Sequence, residues 1–176
     1  MNRIVDWLST NDDKVFLVVN KQWRCKPLDL ILPRITHLGG ATFTLSMLLT
    51  MIFIFSNDVR YWAIDGLISL TISFIAVQII KKSFGRKRPY LKLPDVNTVA
   101  NPLKDFSFPS GHTTAAFSIA VVFALHSPIL TFTVVPLAMI VAISRMYIGL
   151  HYPTDCLIGA FLGTISSILA VYFIYV

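Results

Sequence analysis

Apolar residues in this chain run in long blocks, and polar residues are confined largely to the breaks between them. Blocks approaching 20 residues suit helices that cross the hydrocarbon core, where every backbone polar group must be paired inside its own segment. Five such helices are predicted: Leu38 to Phe55, Tyr61 to Ile80, His112 to Leu125, Ile129 to Tyr147 and Pro153 to Val176. Ser56-Asn57-Asp58 separates the first two, which makes them antiparallel neighbours. His126-Ser127-Pro128 separates the third and fourth, because proline disfavours helix in the residue before it. Pro153 opens the fifth, at a position where its missing N–H had no partner to lose. The third is the shortest.

The chain before these spans is patterned differently. Trp7, Val15, Phe16, Val18, Val19 and Trp23 are interspersed with Asp12, Asp13, Lys14, Lys21 and Arg24. That mixture predicts an amphipathic helix lying in the membrane interface over 1–36, not a sixth crossing. The fold read from the pattern is an all-α integral membrane helical bundle, one unit over 1–176, with an interfacial segment 1–36 and a helical core 38–176.

Composition agrees: 55% of the 176 residues are hydrophobic and 14% charged, at a mean hydropathy of +0.70, too apolar for a soluble domain. The net charge of +6 is informative only through where the cations sit. Cys25 and Cys156 have neither zinc-ligand spacing nor the density of a disulfide scaffold. The first residues carry Arg3 and Asp6 and no sufficient apolar run, so no secretory leader is read there.

One polar connection, Ser83 to Gly111, is far longer than the others, and loops of that length in compact folds are usually functional or disordered. Just before and within it stand Lys81, Lys82, Arg86, Lys87 and Arg88, then Pro89. Alone, this cluster reads equally as a headgroup anchor. The loop ends in Pro109-Ser110-Gly111-His112 where the third helix begins, so a hydroxyl and free backbone N–H groups converge at a helix N-terminus and suit an anion. The plain alternative is an N-cap at Ser110. After Ser144-Arg145 at the end of the fourth helix come His151 and, four residues on, Asp155. A carboxylate bonded to one imidazole nitrogen fixes the tautomer and frees the other nitrogen to attack. The plain alternative is a loop histidine before an ordinary helix-start acid. Topology puts both loops on one side of the membrane, while the opposite turns hold only Asp58, Arg60 and His126. Independent accidents would scatter over both faces.

These residues resemble the type 2 phosphatidic acid phosphatase family, with motifs K-x6-R-P, P-S-G-H and S-R-x5-H-x3-D. The ordered set is present as Lys81 to Arg88-Pro89, Pro109-Ser110-Gly111-His112, and Ser144-Arg145 to His151 and Asp155. The resemblance covers Leu38 to Val176. It implies that His151 attacks phosphorus to form a phosphohistidine, that Asp155 orients it, and that His112 protonates the leaving oxygen and later activates water. Lys81, Arg88, Ser110, Gly111 and Arg145 would hold the phosphate oxygens. It implies no metal and no cofactor, a lipid phosphate or pyrophosphate as substrate, the bilayer as the other partner, and no nucleic acid. Undecaprenyl pyrophosphate leads as substrate, with a place in cell wall biogenesis. Phosphatidylglycerol phosphate, phosphatidate and lipid A phosphate stand behind it. Tyr147 and Gly149 are expected to shape the third motif's loop.

Two other classes compete. A transporter would need polar residues lining a path through the helices, and only Asp65, Gln78 and scattered Ser and Thr offer one. A lipid phosphotransferase would differ only in its acceptor. Sidedness divides the arguments. Nearly all cations lie on the site's face against Arg60 opposite, so the positive-inside rule makes that face cytoplasmic. The resemblance implies an outward face of a bacterial inner membrane, which is the expectation kept, because several of these cations serve phosphate. Oligomeric state is not written in the sequence.

Overall fold

The computed structural model describes residues 3–98, 102 and 104–173, and the regular structure among them is entirely helical. The helices are α1 (Arg3–Leu17), α2 (Lys26–Ile35), α3 (Ala41–Ile54), α4 (Asp58–Phe84), the single turn α5 (Pro89–Lys92), α6 (Gly111–His126), α7 (Thr131–Tyr147) and α8 (Pro153–Phe173). Residues 174–176, the expected end of the fifth span, lie outside the described residues. Boundaries follow local chemistry. Asn57 caps α4 by accepting from the Val59 N–H, and Gly85, at φ 57°, ends it in the left-handed conformation that glycine adopts without steric cost.

The expected bundle is present, but its spans are not five equal crossings. By length and hydropathy, three helical stretches among the described residues can cross a membrane: Asp58–Lys92, Pro128–Tyr147 and Pro153–Tyr172. A fourth arises if Lys26–Gly39 and Ala41–Ile54, bent by 57° at Gly40, count as one broken span. The N-terminal segment is not one helix but two, α1 and α2. Pro27 starts a second helix, α2, at its first turn, and that helix runs through Thr36–Gly39 into the bend. The third expected span, α6, has only 16 residues, about 24 Å at roughly 1.5 Å per residue. It can be short because it sits at the centre, packed by α4, α7 and α8, where protein rather than lipid surrounds it.

What lets α8 approach α6 so closely is the absence of side chains. A Cβ on Gly163 would stand 2.5 Å from the Thr114 carbonyl oxygen and 2.8 Å from the Ser118 N, and one on Gly159 would stand 2.8 Å from the Ser110 carbonyl oxygen. Small residues at such contacts replace the hydrophobic drive that lipid removes. Hydroxyls add specificity along the same seam: Ser118 Oγ donates to Ser73 Oγ at 2.9 Å, and Ser167 Oγ donates to the Ser118 carbonyl at 2.8 Å. At the far end, buried Asp65 meets His126 Nε2 at 2.7 Å, with Trp62 stacked on the imidazole. Asp65 thus has a partner inside the bundle, which removes one of the few polar groups that a transport path would need. Phe53, Phe132 and Ile129 are among the most exposed side chains, as lipid-facing positions should be.

Gly163→Val is expected to destabilise the detergent-solubilised protein by about 1–3 kcal/mol through overpacking against the Thr114 backbone. Gly111→Ala, whose new Cβ meets nothing within 4 Å, is expected to leave thermal stability within about 0.5 kcal/mol. Thermal unfolding of both variants checks the pair.

Candidate active site

Three segments far apart in sequence meet at one end of the bundle: the loop after α4, the N-terminus of α6 and the turn between α7 and α8. The turn is set by Gly149, at φ 80° and with the Asn97 carbonyl 2.5 Å from where a Cβ would be. Tyr147 beside it donates its hydroxyl to Asp29 at 2.9 Å. Asn20 pins the same turn, donating to the Tyr147 carbonyl at 2.8 Å.

Arg88 is fully buried and organises the centre. Its Nε donates to the Asp105 carbonyl at 2.8 Å, its Nη2 to Asp105 Oδ1 at 2.6 Å, and its Nη1 to the Leu150 carbonyl at 2.9 Å. Nη1 also stands 3.1 Å from His151 Nε2. A guanidinium only donates, so Nε2 accepts there and the neutral ring carries its proton on Nδ1. That nitrogen is buried, with no partner of hydrogen-bonding geometry. Its distance to Asp155 Oδ2 is 3.6 Å, an ion-pair separation too long for a hydrogen bond. Burial first, then the charges of Arg145, Arg88 and Lys81, push the His151 pKa well below the ordinary 6.5, against a smaller opposing pull from the Ser107 backbone.

Arg145 is buried too. Its Nη1 donates to Thr36 Oγ1 at 2.7 Å, yet its Nε and Nη2 have no hydrogen-bond partner. Buried donors left open in this way are costly and call for an acceptor. Lys81 meets Asp105 Oδ2 at 2.5 Å. Asp105 therefore bridges two of the expected phosphate-binding cations. Burial opposes its charge, but the Lys81 hydrogen bond and the Arg88 charge outweigh that and hold its pKa down to about 2.

The Pro109–His112 segment sits as the motif spacing suggests. Ser110 is buried and caps α6, accepting from the Thr113 N–H at 3.5 Å and sharing a hydrogen bond with the Thr113 hydroxyl at 3.0 Å. The Ser110 side chain is thus engaged in the cap, as the plain reading had it, while the space beside Gly111 is open. The Ser110 N–H donates to the Asp155 carbonyl at 3.0 Å, which ties α6 to α8. Asp155 is clamped: Oδ1 accepts from Arg86 Nη1 at 2.6 Å and Oδ2 from the Tyr152 N–H at 2.9 Å.

A cavity of about 420 Å³ opens on this site, with Lys81, Gly111 and His112 in its wall and Leu45, Leu70, Phe74 and Val77 continuing it between α3, α4 and α6. All eight expected residues therefore lie at one end of the bundle. Asp105, Arg86, Asp12 and Thr36 were not assigned chemistry from the sequence. Arg86 stood there only as one more cation, and Asp105 only as one of two acids, with Asp95, in a basic loop.

Residues 62–176 match the family model described as the PAP2 superfamily. The chain belongs to that superfamily. It is 37% identical over 101 residues to the bacitracin transport permease protein BcrC of Bacillus licheniformis, a match covering 55% of this chain and half the length of that protein. It is 29% identical over 135 residues to undecaprenyl-diphosphatase BcrC of Bacillus subtilis, covering 74% of this chain and 66% of the relative. The crystal structure of Aquifex aeolicus LpxE superposes with a TM-score of 0.79 at 27% identity, covering 91% of this chain and 94% of the other. The PAP2 chain described here is thus a multi-pass integral membrane protein, with its polar cluster at one end of the helical bundle.

Because burial and three cations penalise its charged form, His151 is expected to stay neutral from pH 8 down through 6.5 in the ligand-free protein. Nitrogen NMR of histidine-labelled protein, with His151 assigned by its alanine variant, checks this. An imidazolium signal that grows in near pH 6.5 would contradict it.

Proposed function

We propose that the chain acts as one membrane-embedded lipid phosphatase unit, hydrolysing a lipid phosphate or pyrophosphate through a phosphohistidine. The observation that carries this is the pairing of two buried, unpartnered donor nitrogens on Arg145 with an imidazole whose unprotonated Nε2 is held by Arg88. The first wants an anion, and the second is a nucleophile waiting beside it.

In this reading a substrate phosphate takes the open donors of Arg145, and its charge draws Arg88 and Lys81 away from Asp105. Gly111 at the start of α6 contributes its backbone N–H, and Ser110 keeps that helix end in place beside the phosphate. His151 Nε2 then attacks phosphorus, and the bond from phosphorus to the leaving oxygen breaks. The electron pair departs with that oxygen, which takes a proton from His112. Asp155 balances the positive charge on the His151 ring. Water next attacks the phosphohistidine, passing its proton to His112, and the phosphorus–nitrogen bond breaks. Inorganic phosphate leaves with His151 and His112 restored. The cations supply the stabilisation that a metal would otherwise give.

The cavity supports a lipid: its polar end is at His112 and the rest is apolar wall between membrane helices. Undecaprenyl pyrophosphate is the leading substrate, supported by the name of the Bacillus subtilis relative. In that case the leaving group is undecaprenyl phosphate. Phosphatidylglycerol phosphate, phosphatidate and lipid A phosphate are the alternatives in a substrate panel. The site faces outward from a bacterial inner membrane.

Purified protein in EDTA is expected to release inorganic phosphate from undecaprenyl pyrophosphate, and His151→Ala to lose about 10⁴-fold or more of that rate, as removal of a nucleophile does. Dependence on added metal, or turnover indifferent to His151, would overturn the mechanism. Transport without phosphate release would favour the activity named for the Bacillus licheniformis relative. In intact cells, with Cys25 replaced, an impermeant thiol reagent is expected to label cysteine at Lys87 and not at Asn57. The reverse pattern would turn the site inward.

A further inference from the structure

Asp155 holds its place through Arg86, a residue at one of the unspecified spacer positions of the first motif. Arg86 Nη1 donates to Asp155 Oδ1 at 2.6 Å, and its Nη2 donates to Asp12 Oδ2, also at 2.6 Å. One guanidinium thus forks between two buried carboxylates, one at the start of α8 and the other from α1. Asp12 in turn accepts the Thr154 N–H at 2.9 Å and the Thr154 hydroxyl, which caps the first turn of α8 from outside that helix. Arg86 Nη1 also donates to Thr154 Oγ1 at 2.8 Å. The guanidinium lies over the Tyr152 ring at 4.0 Å, and Phe16 of α1 packs on that ring. Tyr152 follows His151 directly and gives its N–H to the oxygen of Asp155 that faces His151.

We propose that Asp12 and Arg86 are positioning residues of the active site, forming with Asp155 a carboxylate–guanidinium–carboxylate chain that fixes where the carboxylate stands relative to His151. The inference rests on the reading of His151 as nucleophile and Asp155 as its orienter. With Oδ1 held by Arg86 and Oδ2 by the Tyr152 N–H, Asp155 cannot swing, and Oδ2 faces Nδ1 from one fixed direction. The gap of 3.6 Å leaves room for Nδ1–H to close on Oδ2 as the ring gains charge during phosphoryl transfer. Lysine cannot replace Arg86, because a single ammonium lacks the planar fork that serves two acids at once. The amphipathic segment 1–36 is, on this account, part of the catalytic apparatus and not only a membrane anchor.

A staple that merely fastened α1 to the bundle would show the same contacts, so the test needs more than loss of activity. Asp12→Asn keeps an oxygen for the Thr154 N–H but puts an NH2 donor in place of the Oδ2 that accepts from Arg86 Nη2 and the Thr154 hydroxyl, which breaks the link to Arg86. Arg86→Lys keeps charge and loses the fork. Both variants, in the full chain in nanodiscs, are expected to lower kcat about tenfold, as removal of outer-layer partners of a functional group commonly does. KM for the lipid pyrophosphate is expected to stay within about twofold, since a positioning loss falls on the transition state. Both variants should also move the His151 Nδ1 NMR resonance. Placed on Asp155→Asn, either change should have little further effect, because the chain acts through that carboxylate.

Unchanged kcat with an unmoved Nδ1 resonance, or a full tenfold loss retained in the Asp155→Asn background, would overturn the proposal and leave only a structural staple. Wild-type turnover that is absent, or untouched by Asp155→Asn, would instead count against the phosphohistidine reading. The ligand-free NMR comparison would then decide the positioning role by itself.

Discussion

Burying arginine at the end of a membrane bundle is the constraint around which the rest of this structure is arranged. A guanidinium taken out of water costs several kcal/mol unless its donors are matched. Arg88 meets that cost with the carbonyls of Asp105 and Leu150, the Asp105 carboxylate and His151 Nε2. Arg145 meets it only in part, through Thr36, and keeps two donors open. In the proposed mechanism a substrate phosphate takes those open donors.

The close packing of α8 on α6 serves the same end. Gly159 and Gly163 let the two backbones approach, and the Ser110 N–H bond to the Asp155 carbonyl then locks the start of α6 to the helix that carries the Asp155 carboxylate. The site is thus held by rigid helix termini. Its one long loop is fastened by Arg88 and by the hydrogen bonds of Asn97 with Asn20. Asp105, paired with Lys81 and Arg88, keeps these cations compensated when no phosphate is present.

Much of this was legible before any coordinates. The apolar blocks located the helices of the core, because a membrane demands long uninterrupted runs. The ordered motifs brought Lys81, Arg88, Ser110, Gly111, His112, Arg145, His151 and Asp155 to one end, because loops between antiparallel helices alternate faces. The bend at Gly40 was not read, because the apolar run was begun at Leu38 and carried through the Gly39-Gly40 pair, a turn signal; there Gly39 packs so closely that a Cβ would stand 2.5 Å from the His112 carbonyl oxygen. The short α6 reads by its hydropathy as one span among equals, although its length makes sense only once its protein surroundings are known. The N-terminal segment was the larger miss. Its alternation of apolar and charged residues reads as a surface helix, but Asp12 and Asn20 are buried, bonded to Thr154 and to the Tyr147 carbonyl. Periodicity reports a face and not its partner.

The most direct test of the central claim is to trap the intermediate. Protein is mixed with lipid pyrophosphate labelled in its terminal phosphate, denatured in alkali within the turnover time, and the label is mapped by peptide. The account predicts an acid-labile, base-stable label on the peptide carrying His151, absent from His151→Ala. Active enzyme that never carries label, or carries it on another residue, would contradict it.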